Sequence, residues 1–370
     1  MDHKRTYRII LSGGGTGGHI YPAIAVADKA MEMFPGSEVL FVGANGKMEM
    51  EKVPQAGYRI RGLPVTGLHR KFTARNLVFP FRLAASLTGA KKIINDFNPD
   101  AVAGFGGYAS APLLWVASGR KIPSIIQEQN SYAGLANKLL SRRVSRICVA
   151  YEGMEKYFPG EKILITGNPV RNDIFEDPVP KKIKAFRHFG LEAGRKVILA
   201  IGGSLGAGTI NRSLFGSLHL FMRHGVQLLW QVGKLYMPEY TDKLKNMDIP
   251  GIHPLEFIRE MDLAYAAADL VIARAGALTI SELCAAGKPS VLVPSPNVAE
   301  DHQTKNARHL AGKGAAVMVR DQEAPEKLAD LALELVQQES RLKELSVNIR
   351  GLSRRNAAEE IVKTLTGLLN

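Results

Sequence analysis

Apolar and polar positions alternate along the chain in two similar series of strands and helices. Residues 7–12 (YRIILS) form an apolar run of the kind a strand buried on both faces requires. A glycine run at 13–18 follows, and apolar positions then recur at helical spacing from Tyr21 to Met33. Pro22 falls in the first turn of that helix, where a missing amide costs nothing. Further strands are expected at 38–42, 101–103 and 124–127, alternating with helices at 83–95 and 133–140. The series then restarts, with VILAI (197–201) as a strand, GGSLGAG (202–208) as a glycine loop and 209–221 as a helix. Such alternation predicts parallel sheets with helices on their faces, and its restart predicts an α/β chain of two Rossmann-like, doubly wound domains. The boundary is placed near residue 170, at GNPVR (167–171) before the Pro- and Lys-rich segment 177–184. A last helix at 355–369 carries Ala358, Ile361, Val362, Leu365 and Leu369 on one face, which must dock on a core.

Size agrees with this division, because 370 residues exceed the ~250–300 at which one core stops growing. Apolar residues at 46% and charged residues at 22% are those of a globular chain. The net charge of +13 favours polyanionic partners: nucleic acid, anionic lipid or a phosphorylated ligand. Cys148 and Cys284 lie in apolar stretches without metal-like spacing and read as reduced core thiols, which implies the cytoplasm. The first apolar stretch is too short for a signal-peptide core and runs into the glycine loop instead of a cleavage site. The longest uncharged stretch, 101–119, is broken by four glycines and Pro112, so any membrane contact is expected to be peripheral.

Gly13, Gly15 and Gly18 fit the GxGxxG spacing after a strand, a pattern that puts anions at a helix N-terminus. A dinucleotide site also needs an acid at the end of the second strand, where the chain has Gly43, Ala44, Asn45 and Gly46, so the nicotinamide reading lacks its ribose ligand. His19 follows the loop, where a helix N-terminus disfavours the imidazolium; it reads either as a general base or as a loop histidine bonded to backbone. In the second glycine loop, Ser204 and backbone amides suit a phosphate, although a tight turn would also explain the glycines. In 269–289, Glu282 can accept from two vicinal ribose hydroxyls or close a capping box with Thr279. No cluster of carboxylates or histidines has metal-ligand spacing, so neither a metal nor another cofactor is required.

Residues 52–95 hold nine basic side chains, Arg75 and Arg82 among them, and the apolar Leu77, Val78, Phe79, Phe81 and Leu83. Apolar residues ringed by cations suit an anionic membrane surface, each cation adding about 1 kcal/mol. Nucleic acid is disfavoured because interleaved stacking aromatics and a recognition motif are missing, and a solvated face over core residues is the plain alternative.

GGGTGGH (13–19), GFGGY (104–108), QEQNSYAG (127–134), GNPVR (167–171), GGSLGA (202–207), RAGALTISE (274–282) and DHQTKNA (301–307) together resemble the MurG family. These enzymes are UDP-GlcNAc:undecaprenyl-pyrophosphoryl-MurNAc-pentapeptide N-acetylglucosaminyltransferases. The resemblance implies a GT-B fold of two domains facing across a hinged cleft. Residues 1–170 would form the acceptor and membrane-facing domain, with 353–370 packing back on it, and 171–352 the UDP-GlcNAc domain. The implied reaction is inverting transfer of GlcNAc from UDP-GlcNAc to the 4-hydroxyl of MurNAc in that lipid, lipid I becoming lipid II. By the same resemblance Thr16, Gly17 and Gly18 lie near the transferred sugar, Asn130 and Arg171 approach from the domain junction, and Ser204 holds diphosphate. The Ile258 backbone would read uracil, while Ala277, Leu278, Thr279, Ile280, Ser281 and Glu282 surround the diphosphate and ribose and Gln303 meets the sugar hydroxyls. Tyr108 would belong to the acceptor side, and His19 or Glu128 would be the base. Gln127 stands where many of these enzymes carry histidine, which argues against a base there. Implied partners are UDP-GlcNAc, lipid I, the anionic cytoplasmic face of the cell membrane, and the cell-wall and division machinery.

Overall fold

The computed structural model describes residues 5–65, 79–298 and 301–369. The chain forms two compact units, Met1–Arg171 with Asn356–Asn370, and Asn172–Arg355. The first unit is built on a parallel sheet of β1 (Arg8–Ser12), β2 (Glu38–Ala44), β3 (Arg59–Leu63), β4 (Ala101–Gly104), β5 (Ser124–Glu128), β6 (Arg146–Val149) and β7 (Ile163–Ile165), in the order β3-β2-β1-β4-β5-β6-β7. Its helices are α1 (Gly17–Met33), α2 (Glu49–Gln55), α3 (Phe79–Phe97), α4 (Ser110–Gly119) and α5 (Leu135–Leu140). Both faces of the sheet are covered, which explains the unbroken apolar runs. Ile10, Val42, Val102 and Ile126 pack under the α3–α5 side, while Ile9, Leu11, Phe41 and Ile125 pack under α1.

The second unit repeats the plan with β8 (Val197–Ile201), β9 (Gln227–Gln231), β10 (Ile252–Leu255), β11 (Leu270–Ala273), β12 (Ser290–Leu292) and β13 (Val317–Met318), in the order β10-β9-β8-β11-β12-β13. Its helices are α6 (Pro178–Phe189), α7 (Gly208–Gly216), α8 (Leu218–Arg223), α9 (Met237–Leu244), α10 (Met261–Ala267), α11 (Ala277–Ala286), α12 (His302–Gly312), α13 (Ala324–Gln337) and α14 (Glu339–Arg350). The last helix, α15 (Ala357–Gly367), returns to the first unit and buries Ala358, Ile361, Val362 and Leu365 beside Ile24 and Leu11.

Two sequence expectations are corrected. Helix α1 takes Gly17 to His19 into its first turn, so Pro22 lies inside it and removes the amide that would close on the Gly18 carbonyl. The segment 209–221 is two helices, because Gly216 weakens the helix and Ser217 leaves helical geometry at φ −117°. The Pro- and Lys-rich segment 177–184 opens a helix. The Asp177 carboxylate accepts from the Val179 amide at 2.9 Å and Pro178 starts α6.

In each sheet the strand order reverses once, between β1 and β4 and between β8 and β11. Loops leaving the carboxyl ends of those strands diverge there and open a crevice, which is where ligands of doubly wound sheets bind.

Candidate active site

At the first switch point the loop after β1 meets the loop after β4. The Phe105 amide donates to the Ser12 carbonyl at 2.7 Å, and the Ser110 hydroxyl donates to the carbonyls of Ser12 and Gly106, each at 2.8 Å. His19 sits between the two loops. Its Nδ1 lies 2.9 Å from the Gly14 carbonyl, so Nδ1 carries a proton and donates, which makes Nε2 the accepting nitrogen of the neutral ring. A Cβ on Gly106 would stand 2.9 Å from that Nε2, and Gly106 has φ +98°, so only glycine lets the loop approach the ring. Thr16 is the N-cap of α1 and makes no side-chain cap, with Gly17 and Gly18 following it into the first turn.

Glu128, at the end of β5, is 3% exposed. Its Oε1 accepts from the Asn130 amide at 3.1 Å and the Asn130 side chain at 3.3 Å, and its Oε2 accepts from the Gly134 amide at 3.0 Å and Asn137 Nδ2 at 2.8 Å. Four donors hold the carboxylate as an organiser of the 129–134 loop. Gln127 is buried, its amide group donating to Asn168 Oδ1 at 2.9 Å and accepting from Gln129. The Arg171 guanidinium lies 5.9 Å from the Tyr21 ring centre, beside the start of α1. Tyr108 is 55% exposed at the mouth of the GFGGY loop.

At the second switch point two helix N-termini face the crevice. The N-cap of α7 is Ala207 and that of α11 is Gly276; neither supplies a capping side chain, an arrangement that suits an anion at the first-turn amides. Gly206 and Gly233 pack backbone against backbone, a Cβ on Gly233 reaching the Gly206 Cα at 2.2 Å, which fixes the loop that carries Ser204. The capping-box alternative for Glu282 fails, because with Gly276 as N-cap Thr279 is the third residue of α11 and Glu282 lies in its second turn. There the Tyr265 hydroxyl donates to Glu282 Oε2 at 3.0 Å. Ala277, Leu278, Thr279, Ile280 and Ser281 form the turns between, with the Ser281 hydroxyl bonded to the Ala277 carbonyl at 3.0 Å. The turn before α11 is clamped by Arg274, which donates to the Val293 carbonyl at 3.0 Å and pairs with Asp321. Gln303, in the first turn of α12, accepts from the Ser295 amide at 2.9 Å.

Gln231 escaped the sequence reading. Buried at the end of β9, it donates to the Gly203 carbonyl at 3.0 Å and accepts from the Ile258 amide at 2.9 Å, tying the Ser204 loop to Ile258. A base contact at Ile258 thus falls to its carbonyl.

A cavity of about 590 Å³ in the second unit lies elsewhere, against the C-terminal half of α11 at Ala285 and Ala286. Its walls are ion-paired, Lys181 bridging Glu176 at 3.0 Å and Asp262 at 2.8 Å. Lys288 lines it and donates to the Ala268 carbonyl at 2.8 Å, and desolvation pushes the ammonium from 10.5 down to about 8. Below pH 8 the folded chain therefore bears the full cost of this charge, and the cost disappears as pH rises to 10.5, where the unfolded chain also loses its proton. Lys288→Met is expected to stabilise the protein by about 1–2 kcal/mol at pH 7, with the two proteins converging towards pH 10.5, as thermal unfolding across that range would show.

Of the basic segment 52–95, Lys52, Arg59 and Arg61 are paired with Glu51, Glu38 and Asp96, two of them on edge strand β3. Arg75 and Leu77 lie outside the described residues, and Phe79 opens α3. Phe81 is 77% exposed on that helix, with Arg82 and Leu83 beside it also exposed. Trp115 on α4 and Leu135 and Leu139 on α5 are exposed too, and α4 packs against both α3 and α5. The Arg143 guanidinium stacks on Trp115 at 3.9 Å. No described helix is long and apolar enough to cross a membrane.

Two doubly wound units, each with a glycine loop and a helix N-terminus at its switch point, make up the GT-B fold, and the family profiles place the chain among the glycosyltransferases. The profile of the glycosyltransferase family 28 N-terminal domain matches residues 9–149 and that of the family's C-terminal domain matches 197–364. The chain belongs to glycosyltransferase family 28. It is 54% identical to the UDP-N-acetylglucosamine--N-acetylmuramyl-(pentapeptide) pyrophosphoryl-undecaprenol N-acetylglucosamine transferase of Parabacteroides distasonis, over 99% of both chains. The transferase of the same name from Cytophaga hutchinsonii is 52% identical, over 100% of this chain and 99% of that one. Among solved structures, MurG of Acinetobacter baumannii matches with a TM-score of 0.74 at 29% identity, covering 98% of this chain and 100% of that one. A UDP-GlcNAc 2-epimerase from Neisseria meningitidis matches with a TM-score of 0.68 at 15% identity over 97% and 99% of the two chains, a likeness of fold alone.

Proposed function

We propose that the protein transfers N-acetylglucosamine from UDP-GlcNAc to the 4-hydroxyl of the MurNAc residue of undecaprenyl-pyrophosphoryl-MurNAc-pentapeptide, turning lipid I into lipid II in peptidoglycan synthesis. The observation that carries this is the 54% identity, over 99% of both chains, to a transferase named for that reaction. The second unit is the donor unit. Its two open helix N-termini and Ser204 receive the diphosphate, the Ile258 carbonyl reads the base, Glu282 accepts from the ribose hydroxyls, and Gln303 meets the sugar.

The first unit is the acceptor unit and supplies the base. Nδ1 of His19 is bound to Gly14, so Nε2 accepts the acceptor's hydroxyl proton as its oxygen forms a bond to C1 and the C1–phosphate oxygen bond breaks, with UDP taking the electron pair. Attack from the face opposite the leaving group inverts the anomeric centre. Thr16, Gly17, Gly18, Asn130 and Arg171 complete the surroundings of the sugar, and Glu128 keeps the Asn130 loop in place. A β-linked disaccharide–lipid made from the α-linked donor is the expected product by NMR; an α linkage would contradict direct displacement.

The α3–α4–α5 face, with Tyr108 nearby in sequence, Arg82 beside Phe81 and Arg143 stacked on Trp115, docks on the anionic cytoplasmic face of the cell membrane, where the lipid acceptor and the cell-wall and division machinery are found. The triple variant Phe81→Ser, Leu83→Ser and Trp115→Ser is expected to lose most binding to anionic vesicles in flotation while still binding UDP; undiminished flotation would remove this face from the membrane contact.

A further inference from the structure

Glu49 is a carboxylate inside the first unit to which the steps above give no part. It opens α2, is 1% exposed, and sits directly behind the glycine loop. Oε2 accepts from the Gly15 amide and Oε1 from the Ala44 amide, each at 2.9 Å. A Cβ on Gly14 would lie 2.1 Å from Oε1, so the loop and the carboxylate fit each other with no room for a side chain between them. Gly14 is in turn the residue whose carbonyl accepts the hydrogen bond from His19 Nδ1 at 2.9 Å. Glu49, the Gly14–Gly15 peptide and His19 thus form one continuous chain of contacts.

We propose that Glu49 is a positioning residue for the transfer, holding the 13–19 loop in the conformation that fixes the His19 tautomer and aims Nε2; this rests on the reading of His19 as the base. The physical case has three parts. A run of glycines such as 13–15 loses more conformational entropy on ordering than any other sequence, so without an anchor it samples many backbone states. A buried carboxylate is costly unless its lone pairs are used, and an apolar side chain would fill the same volume without that cost, so packing alone does not call for an acid here. Both of its oxygens are spent on backbone amides, one of them in the loop that carries the base, which makes the cost a device for ordering that loop.

The test is Glu49→Gln, which keeps the shape but can accept from only one of the two amides. Expected is a fall in kcat of about 10- to 100-fold, the loss typical of a misplaced catalytic group, with the KM for UDP-GlcNAc within about twofold of wild type. Added to His19→Ala, the substitution should cause no further loss. Histidine nitrogen NMR should show the proton of His19 fixed on Nδ1 in the wild type and exchanging between both nitrogens in Glu49→Gln. Unchanged kcat in a folded Glu49→Gln protein, the full loss repeated in the His19→Ala background, or an unaltered tautomer would each overturn the proposal. Should the glutamine protein not fold, Glu49→Asp, one methylene too short to reach both amides with its charge intact, is read by the same three criteria. Normal turnover in His19→Ala alone would instead overturn the base assignment, so the two failures are distinguishable.

Discussion

Replacing His19 with alanine is expected to lower kcat by about 100- to 10,000-fold, the range spanned by general acid–base catalysis, while leaving UDP-GlcNAc binding within about twofold. The asymmetry follows from where the ring stands. It is anchored on Gly14 in the first unit, at the meeting of the loops after β1 and β4, whereas the helix N-termini and Glu282 proposed for the nucleotide belong to the second unit. The acceptor hydroxyl is a poor nucleophile while it keeps its proton, so removing the base acts on the bond-making step and spares donor affinity. Residual activity would come from orientation and from stabilisation of the departing diphosphate, which the substitution leaves intact. Steady-state kinetics with the lipid-linked acceptor at saturating donor check this, with His19→Gln as a control that keeps a hydrogen bond to Gly14 without a basic nitrogen. Equal turnover in wild type and alanine variant would remove His19 from the chemistry.

Glu282→Ala is expected to weaken UDP binding by about 2–3 kcal/mol, roughly 30- to 150-fold, the loss of charge-assisted hydrogen bonds in a partly enclosed site. Here the altered quantity is affinity. Glu282 sits one turn beyond the open amides of α11, and the Tyr265 hydroxyl at 3.0 Å orients its carboxylate. In the proposed donor site, the ribose of a nucleotide whose diphosphate occupies the helix N-terminus is the group Glu282 is expected to meet. Calorimetry with UDP and with 2′-deoxy-UDP separates this from a general loosening. Wild type should prefer UDP, and the alanine variant should bind both equally weakly. Tyr265→Phe should produce a smaller loss of the same kind. Unchanged UDP affinity in Glu282→Ala would return the residue to the structure of α11.

Legibility in the sequence followed range of interaction. VILAI at 197–201 coincides with β8, because a strand buried on both faces announces itself in every residue. Edge strand β3, with Arg59 and Arg61 facing solvent and acids, reads locally as part of a basic segment, and its pairing with β2 is decided by residues it cannot see in sequence. The start of α1 was hidden because Gly17 and Gly18 look like loop, and a helix begins there only when the preceding turn is already fixed from outside. Thr279 and Glu282 carry the spacing of a capping box, yet the cap is Gly276; a four-residue pattern cannot choose its own register in a helix. The site residues that the motifs missed are those whose partners are distant: Glu49 with Gly15, 34 positions away, and Gln231 with Ile258, 27 away. Spacing also left two meanings for His19, and the structure shows the backbone bond, from Nδ1 to the Gly14 carbonyl, which leaves Nε2 outside that bond.

The most direct measurement is UDP release by the purified protein given UDP-GlcNAc with and without undecaprenyl-pyrophosphoryl-MurNAc-pentapeptide, the products being analysed by mass and by NMR. UDP and the disaccharide–lipid are expected to appear in equal amounts, and only when the acceptor is present. Release of UDP without any glycosylated lipid, or conversion of UDP-GlcNAc to its 2-epimer when the nucleotide sugar is supplied alone, would contradict the assignment.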